Sequence, residues 1–493
     1  MTTVNRVLPR EPIRTLDDYV SAGGGKGLEA ARAIEPDVLI AEVEASGLRG
    51  RGGAGFPTGT KWRTVWENQS DVVATTVVVN AAEGEPGTFK DRTILRTNPY
   101  SVVEGALVAA RAVGATQIVF AMKQTFTTEV ERVRDVIREV SDAGWLDPKV
   151  EVTVFEGPSE YLYGEETALL EAMAGRQPFP RISPPFRRGA LEVVQTDAQT
   201  RSGSGLSAPV EMAGAGEESL APPTLVDNVE TLANVPAIIA EGAEWFRSEG
   251  TDDSPGTIVC TVTGSVRRPG VAEVPMGTPL REVIDVVGGG PRPGRRVTAV
   301  LSGVATGLVT EEHLDTPVSY EAMREIGSGP GSGGFMVFDD ADDIAAVVAG
   351  VSRFLAVESC GQCTPCKQDG LTLADLLRTV CAGAGDEYHL DEINKRASTV
   401  GDRARCYLAL QHQAVVTSLL ERFPGALEAH VTGAAPPAEP VLIAELVNLE
   451  AGKVSVDERF REKQPDWTYG EEYSGKAPAD RYAEHRSDAA PEG

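Results

Sequence analysis

The alternation of apolar and polar positions changes period several times along the chain, and each change predicts a different element. Val38, Ile40, Val43 and Leu48 mark the inner face of an amphipathic helix. Thr76-Val77-Val78-Val79-Asn80 has no polar alternation and predicts a strand buried on both faces. Pro99 to Val113 predicts a helix, Gln117 to Ala121 a strand, Thr128 to Val140 a helix and Val150 to Phe155 a third strand. Strands alternating with helices at this spacing imply an α/β fold with a mostly parallel sheet.

The texture changes near residue 251. Gly256 to Gly264 is a β-branched strand, Pro279 to Val287 a short helix and Val297 to Ser302 a strand, which together predict a small α+β insert. From Asp340 the pattern turns helical, with Ile344, Val347, Val348, Val351 and Leu355 on one stripe. Leu371–Ala382, Leu390–Thr399 and Cys406–Phe423 continue it into a four-helix bundle. The predicted organisation is an extended arm over 1–25, an α/β domain over 26–250, the insert over 251–340, the bundle over 341–431 and a tail over 432–493. Residues 176–224, rich in Pro, Arg, Gly and Ser, read as a long loop. The tail offers one aliphatic patch, Val441 to Leu446, then polar sequence with Trp467, Tyr469 and Tyr473, a composition that predicts partial disorder or docking on a partner.

The 493 residues are too many for one core. A net charge of -27 argues against nucleic acid or an anionic membrane surface as partner. No apolar run reaches the ~18–20 residues of a membrane span, and Met1 to Arg14 lacks the apolar core of a signal peptide. The expected location is cytoplasmic, peripheral to a membrane only through partners. Six cysteines are too few for a disulfide scaffold.

Three of those cysteines, Cys360, Cys363 and Cys366, stand in two successive CxxC steps, and Cys406 follows downstream. Three thiolates on one loop with a fourth from another element is an arrangement that a 4Fe–4S cluster uses. Zinc is the alternative, although it usually takes paired CxxC knuckles. Cys381 competes as fourth ligand but lies on an apolar stripe, where a small buried thiol is the plainer account. Cys260 and His412 read as structural.

Gly50, Gly52, Gly53 and Gly55 leave backbone N–H groups free to face an anion, with Lys61 close behind and Phe56, Pro57 and Trp62 arguing against a plain linker. No strand leads directly into this loop, so it is not the G-x-G-x-x-G fingerprint. Asn80 to Arg92 follows a buried strand, where open α/β sheets bind ligands. There Glu83 and Glu85 point the same way if the segment is extended, and a solvated turn is the alternative. Glu165 and Glu166 open a helix, either as ligand contacts or as complements to its dipole.

Together these motifs resemble the FMN-, NADH- and 4Fe–4S-binding flavoprotein of respiratory complex I and the diaphorase subunits of soluble NAD-dependent formate dehydrogenases and hydrogenases. The resemblance runs from about Val38 to Phe423. It implies an FMN-binding α/β domain, a ubiquitin-like β-grasp insert and a helical bundle holding the cluster by Cys360, Cys363, Cys366 and Cys406. It implies FMN held by the glycine loop with Lys61, Asn80, Glu83, Tyr161, Gly164, Glu165, Asp227, Asn228 and Thr231, and NAD(H) oriented by Phe56, Glu85 and Glu166. Hydride would pass from NADH to FMN, and single electrons onward to the cluster. The implied partners are other iron–sulfur proteins, among them a small thioredoxin-like 2Fe–2S subunit and a catalytic or relay subunit. Ala82 stands where the family has Asp, Tyr163 where it has Cys, Asp227 where it has Asn, and Tyr407-Leu408-Ala409 where it has Ala-Leu-Gly. Thr64 stands where complex I members often carry an aromatic. Ala82 and Asp227 support an alternative, a degenerate relay subunit that keeps the fold and cluster but has lost NADH.

Overall fold

In the computed structural model, residues 3–70, 73–181, 223–470 and 472–487 are described. The reading of 176–224 as a loop falls mostly outside them. The first body opens with helices α1 (Leu16–Ser21), α2 (Lys26–Ala33), α3 (Pro36–Ser46) and α4 (Thr58–Glu67). The arm is therefore not simply extended: it contains α1, and Val4 pairs with Glu273 of the insert. In α3 the buried positions are Leu39, Ile40 and Val43, while Val38 is exposed, which shifts the predicted face by one residue. The glycine loop runs into α4.

Strand β1 (Thr76–Ala81) follows, then α5 (Lys90–Thr97), α6 (Pro99–Val113), β2 (Gln117–Lys123), α7 (Thr127–Asp142), β3 (Glu151–Gly157), α8 (Glu166–Met173), β4 (Thr224–Asn228), α9 (Val229–Glu241) and α10 (Ala243–Arg247). The sheet order is β3-β2-β1-β4, with every neighbouring pair parallel. Val77, Val78 and Val79 are fully buried, as an apolar run between two helical layers requires. Gly105 lets α6 touch the backbone of α9: a Cβ there would lie 2.0 Å from the Leu232 carbonyl oxygen.

The insert holds β5 (Thr257–Gly264), β6 (Gly270–Pro275), α11 (Leu280–Gly288), β7 (Val297–Ser302), β8 (Val309–Thr310), α12 (Tyr320–Glu325) and β9 (Gly334–Asp339). Its mixed sheet runs β6-β5-β9-β7-β8, and Leu280, Val283, Ile284 and Val287 of α11 join the buried cluster that covers it. The bundle comprises α13 (Ile344–Glu358), α14 (Thr364–Cys381), α15 (Glu387–Thr399) and α16 (Leu408–Arg422), closed by a short fifth helix, α17 (Gly425–Val431).

The tail departs most from its sequence reading. It forms a hairpin, β10 (Leu446–Glu450) and β11 (Lys453–Val456), a 3₁₀ turn over Glu458–Glu462 and α18 (Pro478–Ser487). Ile443, Ala444, Leu446, Phe460 and Trp467 are buried, and most of them join the bundle core. Its apolar patch meets this chain's own helices, so partial disorder is the wrong description of the described tail. Among the described residues no helix is long and apolar enough to cross a membrane.

Candidate functional site: a sheet-edge crevice beside a four-thiol cavity

Strand β1 is followed in sequence by β2 on one side and flanked by β4 on the other. Strand order therefore reverses at the β1/β4 boundary, where a doubly wound sheet opens a ligand crevice at the carboxyl ends. Asn80 and Asn228 are register partners at this boundary. Asn80 Nδ2 donates to the Gly164 carbonyl (2.9 Å). Asn228 caps α9 by accepting from Glu230 N, accepts from Lys90 Nζ (3.1 Å), and donates to Asp91 (2.7 Å).

The glycine loop closes one wall. Gly50 N–H bonds the Phe56 carbonyl, and Arg51 N–H bonds Thr231 Oγ1 (2.8 Å). Residues 51–54 form a turn, and the N–H groups of Gly52, Gly53, Ala54 and Gly55 make no hydrogen bond of good geometry among the described residues. Gly53 adopts φ +134° and a Cβ there would meet nothing within 4 Å, while one at Gly52 would lie 3.2 Å from Asn228 Cβ. These weakly engaged donors lie beside the switch point, which fits a phosphate-bearing flavin. Phe56 is 46% exposed at its rim.

Lys61, in the first turn of α4, bonds Glu166 Oε1 (3.0 Å) and the Val226 carbonyl (2.7 Å), with Asp227 at 3.9 Å. Burial lowers its pKa, but those two carboxylates outweigh burial and raise it above the ordinary value. Burial pushes Asp227 up to about 6, against the pull of Lys61 and of the bond from Trp62 Nε1 (2.7 Å). Glu165 caps α8 through Thr167 and Ala168, and burial raises its pKa.

The two carboxylates of the Asn80–Arg92 segment do not point the same way. Glu83 turns into the first turn of α5, accepting from Asp91 N (2.9 Å) and Arg92 Nε (2.9 Å), so its carboxylate is a buried helix cap. Glu85 accepts from Tyr161 OH (2.5 Å) and from Val304 N of the insert (2.6 Å). Burial pushes Glu85 up to about 7, with both hydrogen bonds pulling the other way. Ala82 and Tyr163 share one apolar cluster with Val78, Ala121, Leu169 and Val226. The large ring fits because Gly157 lacks a Cβ, which would stand 2.1 Å from Tyr163 Cζ.

Cys360, Cys363, Cys366 and Cys406 line one small cavity with Leu162, Pro180, Ser359, Gln362, Leu408 and Ala409. Cys381 is fully buried and lies outside that lining, as its apolar stripe suggested. The four thiols surround a shared space. Gln362 Nε2 approaches Cys360 Sγ (3.5 Å), and Ser359 Oγ lies 3.2 Å from Cys366 Sγ, the polar contacts that tune cluster sulfurs. Burial pushes Cys366 up to about 11 and raises Cys360 and Cys406, so free thiols here stay protonated. A bound iron–sulfur cluster would reverse that preference and take them as thiolates.

Comparison with known proteins matches residues 43–237 to the Nuo51 FMN-binding domain, 259–307 to the SLBB domain and 346–430 to the NADH-ubiquinone oxidoreductase-F iron-sulfur binding region. Over 434 residues the chain is 38% identical to an NADH-quinone oxidoreductase subunit of Streptomyces coelicolor, covering 86% of this chain and 90% of that one. It belongs to that family. NADP-reducing hydrogenase subunit HndC of Solidesulfovibrio fructosivorans is 34% identical, over 86% of this chain and 82% of that one. The solved NAD+-reducing [NiFe]-hydrogenase in its H2-reduced state superposes with a TM-score of 0.72 at 32% identity, covering 85% of this chain and 67% of the other. The family's cofactors are FMN, NAD(H) and a 4Fe–4S cluster. The chain is an NADH-dehydrogenase-type oxidoreductase subunit of a multisubunit redox complex.

Several crevice residues carried no local sequence signal. Tyr320 comes from the insert, bonds the Gly50 carbonyl (2.7 Å) and lies against Gly55. Val304 N–H reaches Glu85 from the same insert. Lys90, fully buried, pairs with Asp91 (2.7 Å) and Glu230 (2.9 Å) behind Asn228.

Proposed function

We propose that the β1/β4 crevice holds FMN, with its phosphate on the N–H groups of Gly52 to Gly55 and its remaining polar edge met by Asn80, Gly164, Asn228 and Thr231. Glu85 and Glu166 orient NAD(H) above it, with Phe56 at the rim. Cys360, Cys363, Cys366 and Cys406 bind the cluster. Bound FMN supplies the exchange between a two-electron hydride donor and one-electron carriers. The chain's own part is to place the two centres side by side. One observation carries the reading: a single short segment, 161–166, touches both. Leu162 lines the thiol cavity, while Gly164 bonds Asn80 in the crevice. The proposed domain limits are 26–250 for the flavin domain, 251–340 for the insert and 341–431 for the cluster-bearing bundle.

Electrons leave through partner subunits carrying further iron–sulfur centres, a small thioredoxin-like 2Fe–2S protein and a catalytic or relay subunit among them. The test is NADH titration of the purified complex under anaerobic conditions. Bleaching of the flavin band together with the paramagnetic signal of a reduced cubane is expected, and the released flavin should be FMN. A visible spectrum that NADH leaves unchanged overturns the proposal.

A further inference from the structure

The tail beyond residue 440 lies outside all three matched segments, the last of which ends at 430. Yet it packs on the two parts of the chain that matter most. Its entry is fixed on α13: Val441 N–H bonds the Ala346 carbonyl, and Gly350 makes room for Val441 O, which a Cβ would approach to 1.9 Å. Phe460 packs on Phe354 with ring centroids 5.1 Å apart. Trp467 Nε1 donates to the Val357 carbonyl (3.0 Å). Trp467 holds φ 68°, a region bulky residues avoid and keep only where neighbours over-determine it. Finally, Ala479 N–H bonds the carbonyl of Cys360 itself (2.8 Å), and Ala477 fills the space beside Gly361.

One buried ion pair links this cover to the crevice. Lys463 Nζ lies 2.6 Å from Glu358 Oε1, with both side chains at most 4% exposed. The other oxygen of Glu358 accepts the N–H of Tyr161 (3.2 Å). Tyr161 then donates its hydroxyl to Glu85. A continuous chain of contacts therefore runs from the tail, past the first cysteine loop, to a carboxyl group of the crevice. Buried Lys367 also attracts Glu358, but among the described residues only Lys463 contacts its carboxylate directly, and removing one partner of a buried pair is strongly destabilising. Its position depends on Lys463.

We propose that the tail is an internal positioning element and that Lys463, acting through Glu358, fixes segment 161–166 relative to the Cys360–Cys366 loop. This rests on the cluster and flavin assignments made above. Lys463 touches neither site directly; it sets the alignment of the groups that do.

The experiment compares wild-type complex, Lys463→Met and the double variant Glu358→Gln/Lys463→Met. Iron content, cluster EPR spectrum, cluster midpoint potential and KM for NADH are measured on each. Lys463→Met removes the cation in direct contact with Glu358 and leaves Lys367 as its remaining counter-charge. The cluster potential should fall, its EPR line shape should change, and KM for NADH should rise severalfold through Tyr161 and Glu85. The double variant keeps an acceptor for Tyr161 N–H without a lone charge, and should recover both the EPR line shape and KM. If Lys463→Met is too unstable to load cofactors, recovery in the double variant still supports the proposal, and failure to recover counts against it. A Lys463→Met protein with lowered melting temperature but wild-type EPR, potential and KM overturns it and makes the pair mere packing. A wild type without any cubane signal sinks the cluster assignment first, and this proposal with it.

Discussion

Glu85 is the residue whose chemistry is most open to measurement. Its carboxyl titrates at about 7 instead of 4.5, chiefly because it is buried. Between those values the folded chain keeps a proton that the unfolded chain has released. Its contribution to stability therefore falls as pH rises from about 4.5 to 7 and is level above. Melting curves of wild type and Glu85→Gln between pH 5 and 8 should show the difference, with that slope absent in the variant. The variant should also raise KM for NADH by about ten- to hundredfold, since a hydrogen bond to a charged group contributes roughly 1.5–3 kcal/mol. At the cluster, Cys406→Ser should lower iron content and distort the EPR signal, whereas Cys381→Ser should leave both intact; iron analysis with EPR decides, and the opposite pattern reassigns the fourth ligand. The thiols and glycines of the site were legible because their spacing is local. Tyr320 and Val304 were not, because they stand 270 and 219 positions from Gly50 and Glu85, and nothing in a local pattern records so distant a neighbour. Glu83 misled for a related reason: its cap partners, the backbone of Asp91 and the side chain of Arg92, depend on a helix, α5, whose opening Lys-Asp-Arg run hides its burial.

Among elements, strands were the easiest to read, since β-branched runs such as Thr76–Val79 admit few other structures. Helix α4 was missed because its Thr-Gly-Thr opening has weak helix propensity and is held by its packing. The tail's aliphatic patch was visible, but the surface it covers could not be. Close helix contacts give a sharper test. Glycine inside a helix is ordinarily worse than alanine by about 0.5–1 kcal/mol. At Gly105, however, the added methyl would overlap a backbone carbonyl of α9, which cannot turn aside. Overpacking of this sort costs about 1–3 kcal/mol, so Gly105→Ala should destabilise. A drop in melting temperature of several degrees is expected; a gain would show that α6 and α9 can slide apart.

At the scale of the whole molecule, the crevice belongs to no single body. The sheet supplies its floor, the insert supplies Tyr320 and Val304, and the bundle reaches Tyr161 through Gln411. Tyr320→Phe removes one bond to the Gly50 carbonyl and should weaken FMN retention by about 1 kcal/mol, roughly fivefold in its dissociation constant, measured by flavin release on dilution. The same layout has a consequence for synthesis. Arg92 bonds the carbonyl of Leu446, 354 residues later in the chain. At about 5–20 residues per second, the ribosome makes Arg92 roughly 20–70 s before its acceptor exists. Throughout that interval a guanidinium destined for the interior has an unfinished set of partners. Burial of Arg92 is then a late event, completed only after the tail has left the exit tunnel.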